Sequence, residues 1–388
     1  MKLRFLFIAL IALTACKSTP NLSSIKSAQE LIKQIEADDK NVIAIADKAI
    51  KTKALAEQDL QDISRLIDEL RQHIEQVWGK KNTELPSNKR YVKYTNDYKA
   101  RAIVDFAKGQ VTVETLLSNN KQQALDNLYQ AIVITLLTPE DPRENDIFSS
   151  KKPTLNGTPF LYGQVLDQEN KPIQYQWRAG RFATHLVNTA LKQMRIDSHE
   201  LLQVKFDLIE AHQHLRQQKY SQHVLAAAKR YQIKPELIYG IIETESSFNP
   251  YAVSHANAYG LMQVVPNTAG ADVYQKVKNT TGKPTKQQLF NPAFNIDIGT
   301  AYLHLLQNNY LNGVNNSTSQ HYAMISAYNG GTGNVLKSFH RDRKTAVKVI
   351  NAQQPKNVYY VLTKKHPRAE SRRYLEKVTK AEKGYTDK

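Results

Sequence analysis

Residues 241–266, IIETESSFNPYAVSHANAYGLMQVVP, carry two carboxylates, Glu243 and Glu245, into an otherwise apolar run. Pro235 suits the first turn of a helix, and Phe248-Asn249-Pro250 predicts its end, because residues before proline avoid the α region. With Ile238 as zero and about 100° per residue, Leu237, Ile241 and Ile242 fall within roughly 100°, Glu245 within about 20°, and Glu243 near 140°. Glu245 therefore points with the apolar stripe, and Glu243 is expected in solvent.

Partial desolvation and the negative end of the helix dipole both raise the pKa of Glu245. A glutamate at its reference pKa of about 4.3 is protonated in roughly one molecule in 500 at pH 7; one raised to about 6 is protonated in about one in ten. The second is a usable general acid. A glutamate at a helix end that turns toward water fits the same angle, so the choice depends on the residues that could surround it. Downstream, Gly260 permits close backbone approach, Met262 and Gln263 offer a soft apolar and an amide contact, and Ala327-Tyr328-Asn329-Gly330-Gly331 joins an aromatic and an amide to two glycines. Such groups suit a sugar's ring face and its hydroxyl and acetamido groups. A glycine-terminated helix with Tyr328 in the core has the same sequence.

Beyond residue 215 the pattern is almost wholly helical: Tyr220 to Tyr231, then NIDIGTAYLHLLQNNY, HYAMISAYNGG, VYYVLTKKH and SRRYLEKVTKA. Upstream the period changes. Residues 27–78 predict two or three amphipathic helices. Ala102, Val104 and Phe106, a Lys108-Gly109 turn, then Val111 and Val113 read as a hairpin. A helix follows over 124–137, and residues 160–183 and 200–211 read as further strands. The expected fold is thus an α+β N-terminal domain with an antiparallel sheet (25–212), followed by a mainly α domain (213–388).

The chain opens MKLRFLFIALIALTACKST: two basic residues, an apolar run too short to span a bilayer, and small residues before the only cysteine. This predicts a signal peptide over 1–15 and a polar tether over 16–24. Leu13-Thr14-Ala15-Cys16 resembles a bacterial lipobox, which implies lipid attachment at Cys16; a plain secretory signal is the alternative. Lys17, where an aspartate would imply inner-membrane retention, favours the outer membrane, facing the periplasm. With one cysteine there is no internal disulfide. The net charge of +17 falls to +15 once Lys2 and Arg4 leave with residues 1–15. This suggests a polyanionic partner, and murein or anionic lipid is nearer to such a protein than nucleic acid. A solvated basic surface accounts for the same charge.

Glu245-Ser246, then Gly260-Leu261-Met262-Gln263, then Ala327 to Gly331, with the late Tyr374, resemble the soluble-lytic-transglycosylase type catalytic domain of murein lytic transglycosylases. The lipobox and the α+β domain narrow the resemblance to the membrane-bound type C members. It implies a lysozyme-like helical fold that cleaves the β-1,4 bond between N-acetylmuramic acid and N-acetylglucosamine without water, leaving 1,6-anhydro ends. It further implies that Glu245 acts as acid and then base, that Ser246 and Tyr374 sit beside it, and that Met262, Gln263, Tyr328 and Asn329 line the sugar cleft. One departure is visible. The family usually has Gly-Ala-x-Gly before Leu-Met-Gln, where this chain has Asn257-Ala258-Tyr259-Gly260; Asn257 tolerates left-handed backbone, but the bulk of Tyr259 puts the cleft's shape in question.

Two other readings compete: a muramidase on the same fold, against which stands the lack of an evident second carboxylate, and a murein-binding lipoprotein that does not cut. A metal or other cofactor is not expected, since His212 and His214 stand close together but no H-E-x-x-H or cysteine cluster occurs among the 11 histidines and one cysteine. Partner enzymes of the cell wall are not signalled.

Overall fold

The computed structural model describes residues 63–386. The expected signal peptide, Cys16, the tether and the predicted helices before residue 63 lie outside them. The described residues belong to one compact unit.

Helix α1 (Ile63–Trp78) buries Ile63, Ile67, Leu70, Ile74 and Trp78, the three-and-four spacing of one helical face. Strands β1 (Arg90–Thr95), β2 (Ala100–Asp105) and β3 (Gln110–Leu116) form a meander. Helices α2 (Lys121–Leu137) and α3 (Gln176–Ala190) follow, then β4 (Lys192–Ile196) and β5 (His199–Asp207). The sheet is antiparallel with order β1-β2-β3-β5-β4. The predicted hairpin is present, with Val104 opposite Val111 and Val113 opposite Val204.

β1 and β2 are buried on both faces because the sheet is covered on both. Leu70, Ile74 and Trp78 of α1 pack with Val92, Tyr94, Ile103 and Leu201, while α2 lies across β2 and β3. At the exposed edge, β4 carries Lys192 and Arg195, charges that discourage pairing with another strand. Within the sheet, Arg101 and Glu114 face each other in register and form a buried ion pair at 2.6 Å, with the Arg101 guanidinium 3.9 Å from the Trp78 ring centroid.

The expectation of a strand over 160–183 is corrected. The Asp167 carboxylate accepts from the backbone N–H groups of Glu169 and Lys171, which turns the chain through Asn170 at φ 58°. Beyond the turn, Ala179, Phe182, Ala183 and Leu186 repeat at helical spacing and build α3.

Helix α4 (His212–Tyr231) leads into α5 (Pro235–Ser246), the helix of the two glutamates. The rest is helical: α6 (Ala271–Lys276), α7 (Lys286–Phe290), α8 (Pro292–Leu305), α9 (Ser317–Gly330), α10 (Thr332–Lys337), α11 (Arg343–Asn351), α12 (Pro355–Lys364) and α13 (Ala369–Thr386). Helix α13 packs along α5, and α9 lies against α13. The two halves are joined by polar contacts from α+β to helical segments. The Tyr251 hydroxyl donates to Pro139 O at 2.6 Å, and Asn249 Nδ2 donates to Asn88 O at 3.2 Å.

Candidate active site

Helix α5 starts with Pro235 at its first position and ends on Ser247 in left-handed conformation, whose N–H donates to Glu243 O. This termination sets Glu245 in the last turn, half-buried, with Tyr328 of α9 and Tyr374 and Glu370 of α13 around it.

Burial is the main cause that pushes its carboxyl up, to about 7 from an ordinary 4.5. The Tyr374 hydroxyl of α13 acts in the opposite direction, Glu370 raises the value further, and Lys89 lowers it. Tyr374 is itself buried, and its hydroxyl has no hydrogen-bond partner of normal geometry among the described residues. Near neutral pH the carboxyl is thus divided between acid and base forms.

The wall beside it is the Gly260-Leu261-Met262-Gln263 segment, closed where Tyr259 and Val264 exchange backbone hydrogen bonds at 3.1 Å. Gly260 has φ 69°, and a Cβ there would lie 2.6 Å from Leu289 O, so the position needs glycine on both counts. Asn295 of α8, fully buried, braces the segment: its Oδ1 accepts from Met262 N at 2.8 Å and its Nδ2 donates to Tyr259 O and Leu289 O. Sequence reasoning missed Asn295; an asparagine inside the apolar NIDIGTAYLHLL run was its signal.

Ser246 was expected beside Glu245 and Met262 in the sugar cleft; both side chains are fully buried. They build the wall from behind. The Ser246 hydroxyl donates to Leu261 O at 2.8 Å and ties α5 to the wall, and Met262 packs on Gly299. Gln263 is largely buried and has φ 48°, with its Nε2 donating to Gly260 O. The half-buried Tyr328 of α9 donates its hydroxyl to Met262 O at 2.9 Å. Neighbouring Asn329 accepts from the Ser371 hydroxyl at 2.7 Å and faces Glu370 with its Nδ2, at 3.4 Å. Helix α9 can end this close to α13 because of Gly330, where a Cβ would lie 2.7 Å from Ser371 Oγ.

Three expectations change. Glu243 is not in open solvent: it is half-buried and accepts from the Tyr385 hydroxyl at 2.7 Å. A second carboxylate does face Glu245, the exposed Glu370, supplied 125 residues later by the first turn of α13. Tyr259 leaves the cleft alone, because its ring is buried edge-on against Phe290, 5.7 Å between centroids. Asn257 has the left-handed φ of 57°, and its side chain also serves α1, accepting from Ser64 N at 3.2 Å. Among the described residues no group of three His, Cys, Asp or Glu could hold a metal ion; His212 engages Arg216 and His214 engages Gln218.

Residues 55–219 match the family described as membrane-bound lytic murein transglycosylase C, N-terminal domain, and residues 222–351 match the transglycosylase SLT domain. A membrane-bound lytic murein transglycosylase C of Serratia proteamaculans is 45% identical over 329 residues, 84% of this chain and 91% of that protein. This chain belongs to the membrane-bound lytic murein transglycosylase C family. Its relative of the same name in Yersinia pestis is 44% identical over the same shares. Among solved structures, a lytic transglycosylase of Pseudomonas aeruginosa is similar over 43% of this chain and 24% of its own, with 26% identity and a TM-score of 0.34. The 70 kDa soluble lytic transglycosylase of Escherichia coli is similar over 42% and 23%, with 25% identity and a TM-score of 0.32. The protein is therefore a lytic murein transglycosylase, with the sheet in the first matched region and Glu245, the Gly260 wall, Tyr328 and Asn329 in the second. Tyr374 and Glu370 lie beyond the second match, on α13.

Proposed function

We propose that the enzyme cleaves the β-1,4 bond between N-acetylmuramic acid and N-acetylglucosamine with Glu245 as its one proton carrier, in the remodelling of the cell wall. Protonated Glu245 gives its proton to the glycosidic oxygen, and the bond from muramic acid C1 to that oxygen breaks, its electron pair leaving with N-acetylglucosamine. The C6 hydroxyl then bonds to C1 and its proton passes to the Glu245 carboxylate, which restores the acid and leaves a 1,6-anhydro end. No water is consumed. The sugar's own acetamido group can stabilise the oxocarbenium-like centre, as in other substrate-assisted glycosidases. Gln263, Tyr328 and Asn329 offer the amide and aromatic surface for the sugars, and Tyr374 orients the carboxyl.

The observation that carries this reading is a half-buried glutamate whose pKa is pushed to about 7, so that one group can serve in both steps. Glu370 favours a second reading, a muramidase in which that carboxylate activates a water. Digestion of purified sacculi separates the two, because anhydro ends are one water, about 18 Da, lighter than reducing ends. The expected result is anhydro ends from the native protein and a loss of about 100-fold or more for Glu245→Gln. Reducing ends would favour the muramidase, and full activity in the variant would remove Glu245 from the mechanism.

We also propose that the chain is held by lipid on Cys16 at the outer membrane, facing the periplasm. The lipobox-like Leu13 to Cys16 and the following Lys17 support this. Radiolabelled palmitate should enter the native protein in cells and not Cys16→Ser, and the label should sediment with outer-membrane markers; a labelled Cys16→Ser protein would exclude this anchor.

A further inference from the structure

Lys89 lies on the turn that leads into β1, and its ammonium donates at 3.3 Å to Glu243 O, 154 residues later in the last turn of α5. Two backbone contacts position that turn. Asn88 O accepts from Asn249 Nδ2 at 3.2 Å, just past the end of α5, and Lys89 O accepts from Phe106 N at 3.1 Å. The Glu243 carboxylate is fixed in turn by the Tyr385 hydroxyl of α13 at 2.7 Å. The half-buried Lys89 thus meets a helix C-terminus, where orphan carbonyls favour a cation, with a carboxylate on either side.

We propose that Lys89 is a positioning residue for Glu245, by which the α+β half of the molecule supplies the positive charge that steadies the catalytic carboxylate when it has given up its proton. This rests on the reading of Glu245 as acid and base. The groups facing Glu245 are Tyr374 and Glu370 from α13, Tyr328 from α9, and Lys89 from the turn before β1. Lys89 is the cation among them. Around Lys89 itself, burial and Lys377 act against its charge, while Glu243, Glu245 and Asp105 support it. Glu243 therefore has a part in the site without touching substrate, as the counter-charge that keeps Lys89 in place. In the proton-transfer step a carboxylate forms in half-buried surroundings, and a nearby ammonium makes that product less costly. Without the ammonium Glu245 is a weaker acid.

Initial rates on purified sacculi across pH 5–9, for the native protein, Lys89→Met and Lys89→Arg, test this. Glu245 must begin protonated, so activity falls as pH rises through its pKa. Loss of Lys89 should move that alkaline limb up by roughly half a unit to one unit and lower the plateau rate about 3- to 10-fold; Lys89→Arg should restore most of both. A purely structural lysine would lower the rate equally at every pH. An unmoved limb, a failure of arginine to rescue, or a Lys89→Met protein that no longer folds by melting would each overturn the proposal. If Glu245→Gln is inactive while the Lys89→Met limb stays in place, only the role of Lys89 falls. If Glu245→Gln stays active, the catalytic reading falls whatever Lys89 does.

Discussion

The sheet and the catalytic helix each take a glutamate out of water, and they treat it in opposite ways. In the sheet, Glu114 meets the Arg101 guanidinium at 2.6 Å, with both side chains about 95% buried, and Gln203 donates to its other oxygen. Beside α5, Glu245 has no cation within ion-pair distance among the described residues; it has a tyrosine, a second carboxylate and the more distant Lys89. The first carboxylate is spent on holding the strands together. The second is left short of partners, and that shortage keeps its proton near neutral pH. Pairing makes a buried carboxylate structural, and withholding the pair makes it chemical.

The comparison breaks most severely at Arg101. Replacement by Met strands Glu114 in the sheet, and removing one partner of a buried pair costs about 3–5 kcal/mol. Denaturant unfolding of Arg101→Met should show that loss, while the folded fraction keeps its specific activity; an unchanged midpoint would mean that the pair contributes nothing.

Glu245→Gln should act in the other direction and less strongly. A carboxyl with its folded pKa raised from 4.5 to about 7 stabilises most below the lower value, where both states hold the proton. The unfolded chain ionises first as pH rises, so stability drains away between those values and levels off above about 7. Glutamine does not titrate. At pH 8 the variant should therefore gain on the native protein, relative to pH 4, by on the order of 1–3 kcal/mol. Parallel pH dependence of the two melting temperatures would count against the raised pKa.

Local order was the legible part of both regions. The 100° spacing gathered Leu237, Ile238, Ile241 and Ile242, all buried, because helix geometry is set by neighbours in sequence, but it put Glu243 in solvent, where it is not; the β2–β3 hairpin followed from alternation about a Lys-Gly turn. Residues 160–183 misled, since their short apolar runs fit either period and the Asp167 turn that decides between them is a side-chain event. The site's electrostatics were not legible. Glu370, Lys89 and Tyr385 reach α5 from segments 125 or more residues away in one direction and more than 150 in the other, and no pattern within the ETESS stretch announces them. Asn257 was legible as backbone, through its tolerance of positive φ, but not as the acceptor for Ser64 N.

Arg216 carries a consequence for anyone who would cut the chain into modules. Its guanidinium, 3% exposed, donates to Phe106 O and Gln164 Oε1 on the sheet side and to Ser247 O at the end of α5, with His212 Nδ1 at 2.8 Å and no carboxylate among these partners. Burial lowers its pKa to about 10, so it stays charged at neutral pH. A gene fragment beginning at α4 would keep this cation and discard two of its acceptors, next to the residue that caps the catalytic helix. The natural seam for a portable catalytic module therefore does not run between the sheet and the helices, and a designer who wants the cleft intact has to carry the sheet along with it.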